Sequence, residues 1–345
     1  MKKNKNTYKA ITLKDVAEAA DVSVITASRA LRTPHIVSEK VRKRVADAVE
    51  RLGYAPNQAA RALASATTPI IGVIIPSVTN QVFSDVLRGI YDAIEGSPYQ
   101  VQLGNTRYTS RKEEELLKVF GSQRPAGLIV SGVDQTPAAR ALLAGIGCPV
   151  VQIMDYNDDP IDMMIGFDHR EGGRAAARHL IEQGYRRIGF IGARMDPRAR
   201  RRLEGYEQVM HDAGLYDERL ILTTPMPSSV TLGSQIFADF LAMVPDADAV
   251  FCNNDDMALG ALFECQRRRI RVPDQFGIMG YNDLEYSATS VPSISSIRTH
   301  RYDVGRRAIE MVIAAARGER PSPAAVDIGY ELKVRQSTDR GGART

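Results

Sequence analysis

Tryptophan is absent from this chain, cysteine occurs three times, and aromatic residues make up only 6% of its 345 positions. The cysteines, Cys148, Cys252 and Cys265, have no metal-ligand spacing and leave an odd count, which reads as buried free thiols rather than a disulfide scaffold. No apolar run approaches the roughly 18–20 residues that a membrane-spanning helix needs, and the lysine-rich start leads into no signal-peptide core. A cytoplasmic location is therefore expected. A Walker loop, a G-x-G-x-x-G opening, an H-E-x-x-H pair and a G-x-S-x-G elbow are also missing, and His35, His169, His179, His211 and His300 show no metal spacing. Asp168-His169 resembles a catalytic pair but reads as a helix start capped by Asp168. No catalytic residue, cofactor or metal is expected, and an enzyme becomes the weaker alternative.

What is present is ordinary for a globular chain: 44% apolar and 25% charged residues. The length points to about two domains. Charge divides the chain unevenly, because residues 1–67 carry a net +7 and the remainder −3. A basic head is what contact with nucleic acid would require.

Within that head, residues 2–9 read as a polar arm. Thr12, three residues before Asp15, fits a capping box that opens a first helix. Ser23 can cap a second helix through Val24-Ile25-Thr26-Ala27-Ser28-Arg29-Ala30-Leu31, and residues 38–52 carry a third that ends at Gly53. Three short helices with a tight turn between the first two form the helix-turn-helix plan. It presents the N-terminal residues of the second helix to the DNA major groove. Val24 and Ile25 could then touch thymine methyls and Arg29 a guanine or a phosphate, while Thr12, Ser23, Thr26 and Ser28 would meet phosphates. A helical protein-interaction module is the competing interpretation of the same pattern.

The stretch from Tyr54 to Ser65 opens with Pro56 and Asn57, continues as an alanine-rich run with Ala60, Arg61 and Leu63, and stops at Thr67-Thr68-Pro69. It reads as a short hinge helix, too short to be stable alone. From Pro69 onward short apolar runs alternate with amphipathic segments, which predicts parallel βαβ units in two α/β lobes. The expected organisation is a head over 1–53, a hinge and linker over 54–68, and a body over 69–345. One lobe is expected over about 69–167 and 301–328, the other over about 168–298 and 329–340. Ligands of open parallel sheets sit beyond the carboxyl ends of the strands, so polar residues just past those ends are the candidates for the cleft. They are Ser77, Asn80, Asn105, Arg107, Ser131, Asp155, Asp168, Arg200, Arg202, Asn254, Asp255, Asn282 and Asp283.

The run Thr12-Leu-Lys-Asp-Val-Ala-Glu-Ala-Ala-Asp-Val-Ser-Val-Ile-Thr-Ala-Ser-Arg-Ala-Leu31, with Val37-Ser38, Leu52-Gly-Tyr-Ala-Pro-Asn57 and Ala60-Arg61-Ala-Leu63, resembles the head of the LacI/GalR family of bacterial repressors. The body resembles that family's sensor domain, itself similar to periplasmic sugar-binding proteins, in Ile71-Gly-Val-Ile-Ile-Pro76, Ile188-Gly-Phe-Ile-Gly192, Arg202-Leu-Glu-Gly-Tyr206, Asn254-Asp-Asp-Met257 and Gly280-Tyr-Asn-Asp283. Further runs, such as Ile75-Pro-Ser-Val-Thr-Asn-Gln-Val-Phe83 and Phe251-Cys-Asn-Asn-Asp255, resemble the members that sense gluconate and 2-ketogluconate. The resemblance implies operator contacts at Thr12, Ser23, Val24, Ile25, Thr26, Ser28, Arg29, Asn57, Ala60 and Leu63, the last wedging into the minor groove. It implies effector contacts at Asn80, Phe83, Arg107, Ser131, Asp155, Phe167, Arg202, Asn254 and Asn282.

Two departures from the family pattern stand out. Asp21 takes the place of the usual turn glycine, and Asn282 replaces a frequent aspartate, which removes one negative charge from the pocket and suits an acidic ligand. The implied function is a homodimeric repressor that binds near-palindromic double-stranded operator DNA and responds to a small sugar acid. A neutral or phosphorylated sugar as effector, or a sugar-binding protein that binds no DNA, are the alternatives. Without heptads in residues 336–345, no tetramerising coiled coil is expected.

Overall fold

The computed structural model describes residues 11–54 and 67–341. The expected hinge helix, with Asn57, Ala60 and Leu63, lies outside the described residues. The chain divides into two compact units, Met1–Thr68 and Pro69–Thr345.

In the smaller unit three helices, Leu13–Ala19, Val24–Arg32 and Glu39–Leu52, enclose a core of Val16, Ala20, Ala30, Val45 and Ala48. The capping box is present: the Asp15 amide donates to Thr12 Oγ1 and the Thr12 amide to Asp15 Oδ2. The Thr26 amide donates to Ser23 Oγ at 3.1 Å, starting the second helix, and Gly53 closes the third at φ 62°. Caps of this kind contribute about 0.5–2 kcal/mol each. Asp21 occupies the turn with φ 48°, the left-handed conformation that a glycine would adopt without strain. Arg44 supports it by donating to the Asp21 carbonyl at 2.6 Å and to its carboxylate at 3.0 Å.

The larger unit contains two six-stranded sheets. One has the order β11-β5-β4-β3-β1-β2, from β1 Ile70–Ile75, β2 Gln100–Asn105, β3 Gly127–Ser131, β4 Val150–Ile153, β5 Met163–Gly166 and β11 Ala325–Asp327. The other has the order β12-β10-β9-β8-β6-β7, from β6 Ile188–Ala193, β7 Ile221–Thr224, β8 Ala249–Cys252, β9 Gly277–Asn282, β10 Ser295–Thr299 and β12 Tyr330–Lys333. The pairings are parallel except β10 with β12. Helices cover both faces, so inner strands such as Ile-Ile-Gly-Val-Ile-Ile of β1 are buried along their length and show no alternation. The chain passes between the sheets at Phe167–Asp168, at His300 and at Ile328–Gly329. No described helix is long and apolar enough to cross a membrane.

Reciprocal glycines set the helix packing around the cleft. A Cβ on Gly173 would overlap the Arg202 carbonyl, and one on Gly205 the Arg170 carbonyl, so helices His169–Glu182 and Pro197–Asp212 touch backbone to backbone. Gly89 and Gly305 do the same for helices Gln81–Ile94 and Arg301–Ala316.

Two segments depart from the sequence expectation. β10 was not foreseen, because Ser-Ser-Ile-Arg-Thr lacks an apolar run. Its buried hydroxyls are satisfied instead, with Ser296 Oγ donating to Asp255 at 2.7 Å and Ser295 Oγ paired with Thr338 at 2.6 Å. The helix expected near Arg202 starts at Pro197, where Asp196 accepts the Ala199 amide at 3.0 Å. That extra turn determines the character of the cleft.

Candidate functional site

Between the carboxyl ends of the two sheets lies a cavity, lined from one lobe by Asn80, Phe83, Tyr108 and Met154. From the other lobe come His169, Arg194, Asp196, Arg198, Arg202, Asn253, Asn254, Asp256 and Asn282. Polar residues cluster there because strand ends and helix starts do. Asn80 caps Gln81–Ile94, its Oδ1 accepting the Val82 amide at 3.0 Å while its Nδ2 donates to Tyr108 Oη at 3.0 Å. Asn254 caps Asp255–Arg268 by accepting the Met257 amide at 3.1 Å.

Arg202 is the most constrained cation. Its side chain is 8% exposed, stacks over the Tyr281 ring at 3.9 Å, and donates from Nε to His169 Nδ1 at 3.2 Å and from Nη1 to the Asn253 carbonyl at 2.6 Å. It makes no ion pair among the described residues. Burial pulls its pKa down from the ordinary arginine value, opposed by Tyr281 and Asp196. Burial likewise draws His169 well below the usual histidine range, and Arg202 beside it adds to the effect. The imidazole is neutral at physiological pH.

Two more arginines come from the added turn and the loop before it. Arg198 donates to Ser131 Oγ at 2.9 Å and pairs with Asp196 at 3.3 Å, while Arg194 lies over the Tyr108 ring at 4.0 Å, from the opposite lobe. The lining therefore holds three arginines against the two carboxylates of Asp196 and Asp256, an excess of one positive charge. Asn282 sits at φ 108°, an unusual conformation for a non-glycine residue, and its side-chain amide makes no hydrogen bond to the described residues.

Of the nine effector candidates, the cavity brings together Asn80, Phe83, Arg202, Asn254 and Asn282. Ser131 lies in an adjoining cavity that shares Tyr108, Asp196 and Arg198 with the first. Three candidates lie elsewhere. Arg107 is exposed and its neighbour Tyr108 lines the cleft instead, since consecutive left-handed residues at φ 52° and 61° turn the backbone there. Asp155 is 1% exposed and is held by Arg201 at 2.7 Å. Phe167 is buried behind His169, ring centroids 4.5 Å apart, so it shapes the site without lining it. Arg200, another strand-end candidate, is exposed and donates to the Met195 carbonyl at 2.9 Å. Among the cavity residues that sequence reasoning passed over are Tyr108, His169, Arg194 and Asp196. The Pro at position 197 preceded by Asp196 was the signal that could have placed the helix start correctly.

In the smaller unit Val24 and Ile25 are 45% and 66% exposed, and Arg29 is exposed four residues after Ile25, on the same helix face. Ala27 and Ala30 on the opposite side are buried. Thr12 and Ser23 hydroxyls serve as caps, Thr26 Oγ1 is 2.8 Å from Ser23 Oγ, and Ser28 is half-buried. Large apolar side chains exposed at the start of a helix, beside an arginine with no ion pair among the described residues, form a surface suited to a DNA groove.

A helix-turn-helix unit joined to a two-lobed α/β body with a polar cleft defines a ligand-sensing regulator. Residues 12–57 match the family described as bacterial regulatory proteins, lacI family, and residues 177–338 match the periplasmic binding protein-like domain. The HTH-type transcriptional regulator GntR of Pseudomonas aeruginosa is 42% identical over 97% of this chain and 98% of its own length. The regulator IdnR of Escherichia coli is 34% identical over 93% and 97%. A LacI-family transcriptional regulator from Silicibacter pomeroyi superposes with a TM-score of 0.91 at 36% identity, covering 96% of this chain and all of that one. The chain belongs to the LacI family of DNA-binding transcriptional regulators, which are not enzymes.

Proposed function

We propose that this regulator is a repressor that binds operator DNA as a homodimer and whose operator affinity is altered by an unphosphorylated sugar acid, of the gluconate or 2-ketogluconate kind. One observation carries the choice of ligand: Arg202 is buried at the cleft with no carboxylate partner among the described residues. A buried cation without a counter-charge is costly, and a ligand carboxylate supplies the missing partner through charge-assisted hydrogen bonds. The surrounding amides of Asn80, Asn254 and Asn282 suit the hydroxyls of a polyol chain. The excess of one positive charge in the lining is neutralised by one carboxylate, whereas an added phosphate would leave the cleft negative.

On this reading residues 69–345 bind effector and form the dimer, residues 54–68 join them to the DNA-reading head, and closure around the ligand is transmitted through that segment to the operator. Val24, Ile25 and Arg29 read base edges, and Thr12, Ser23, Thr26 and Ser28 meet phosphates. Calorimetry with gluconate, 2-ketogluconate, 6-phosphogluconate and glucose tests the ligand class. One of the two unphosphorylated acids is expected to bind at one per chain and glucose not at all. Glucose binding as tightly as either acid would overturn the charge argument.

A further inference from the structure

The helix Pro197–Asp212 sends a second arginine across the cleft, one that is not among the residues lining the cavity. Arg201 Nη1 donates to Asp134 Oδ2 at 3.0 Å and to Asp155 Oδ2 at 2.7 Å. Both acceptors belong to the opposite lobe, Asp134 beyond the end of β3 and Asp155 beyond the end of β4, whereas the helix that carries Arg201 packs on the second sheet. Arg201 is also adjacent to Arg202, so one turn of helix places a cation in the cleft and the next residue on the far wall.

We propose that Arg201 is a positioning residue for effector binding: by bridging Asp134 and Asp155 it holds the two lobes shut and sets how fast a bound sugar acid leaves, without touching it. The proposal rests on the sugar-acid reading for its ligand, although closure itself does not depend on that reading.

Burial makes the bridge costly to break from one side, because a buried carboxylate that loses its partner is left uncompensated. A surface ion pair exchanges readily with water, but Asp155 is 1% exposed and water reaches it only if the lobes part. Burial pushes its carboxyl up to about 6, while Arg201, Arg198 and the Tyr156 amide pull the other way and Asp134 adds to the rise. Without the Arg201 guanidinium, the carboxylate regains solvation by opening the cleft. Arg198 on Ser131 and Arg194 on Tyr108 also span the lobes, yet both arginines line the cavity, so changing them would alter ligand contact and closure together. Arg201 separates the two.

The test uses the full chain with Cys148→Ser and spin labels at Lys118→Cys and Gln235→Cys, exposed positions on the two lobes; Cys252 and Cys265 are buried. Electron–electron double resonance without ligand is expected to give one short distance with Arg201 present and a longer population with Arg201→Gln. Arg201→Lys, which keeps the charge but has one nitrogen where Arg201 uses two, Nη1 on both carboxylates and Nη2 on Asp134, is expected to fall between them. In stopped-flow experiments whichever of gluconate and 2-ketogluconate binds the parent is expected to leave Arg201→Gln about tenfold faster than it leaves the parent. An unchanged distance distribution in Arg201→Gln would overturn the proposal. If neither gluconate nor 2-ketogluconate binds the parent protein, the ligand reading fails while the distances still decide the role of Arg201. Should Arg201→Gln not fold, Asp134→Asn removes one arm of the bridge at its more exposed end and is read in the same way.

Discussion

Arg202 Nε and His169 Nδ1 stand 3.2 Å apart, and since a guanidinium can only donate, the imidazole nitrogen that faces it carries no proton. The proton is then on Nε2, which donates to the Met154 carbonyl at 3.0 Å. His169 thus fixes the orientation of Arg202 and links it to the opposite lobe.

Replacing His169 with Phe removes the acceptor for Arg202 Nε and is expected to weaken sugar-acid binding by about tenfold, the scale of one charge-assisted hydrogen bond. Gln at this position keeps an acceptor and is expected to lose less. Calorimetry on both variants checks the order.

In the DNA-reading unit, Arg29→Ala is expected to lower specific operator affinity by about 1–3 kcal/mol and to leave sugar-acid affinity unchanged. Ile25→Ala is expected to relax discrimination among operator variants more than it lowers non-specific, salt-dependent binding. Anisotropy of labelled duplexes at two salt concentrations separates the effects. Equal loss of DNA and ligand binding in Arg29→Ala would mean that the head is misassigned.

Gly173→Ala places a methyl group against the Arg202 carbonyl and is expected to destabilise the body by about 1–3 kcal/mol. Thermal unfolding measures the cost. The same variant is expected to weaken ligand binding, because the helix that carries Arg202 must move.

Asp155 provides a pH test. Burial raises its carboxyl from the ordinary 3.8 to about 6, so the folded protein binds more protons than the unfolded chain between those values. Its contribution therefore becomes less favourable as pH rises through that window and is constant above it. Asp155→Asn abolishes this dependence, so the melting temperature of the variant minus that of the parent is expected to rise from pH 4 to pH 6, by at most about 3 kcal/mol in equivalent stability. The groups facing Asp155 are Arg201, Arg198, Asp134 and the Tyr156 amide. A difference that stays flat across the window would place the titrating group elsewhere.

The fold was legible where burial is two-sided and apolar: Ile70–Ile75 and Ala249–Cys252 stand as periodicity predicts them. It was illegible in β10, whose stability comes from hydrogen bonds to Asp255 and Thr338, partners distant in sequence. The cleft followed the same division. Asn80 and Asn254 were found because a cap just past a strand end is a local signal. Arg194 was missed because it lies on the loop before helix Pro197–Asp212 and reaches the cleft by stacking on Tyr108 of the other lobe, and Asp155 lies outside the lining because a residue of the other lobe, Arg201, takes it. Strand-end position identifies candidates, but which of them face the cavity is decided by contacts between lobes.

The most direct test of the central claim is operator binding by the parent protein and by Arg202→Gln, followed by anisotropy with and without gluconate or 2-ketogluconate. The parent is expected to change its operator affinity when the acid is added, and Arg202→Gln to bind operator as the parent does without ligand but to show no response. An Arg202→Gln protein that responds to the acid as the parent does would contradict the assignment of Arg202 as the group that recognises the effector.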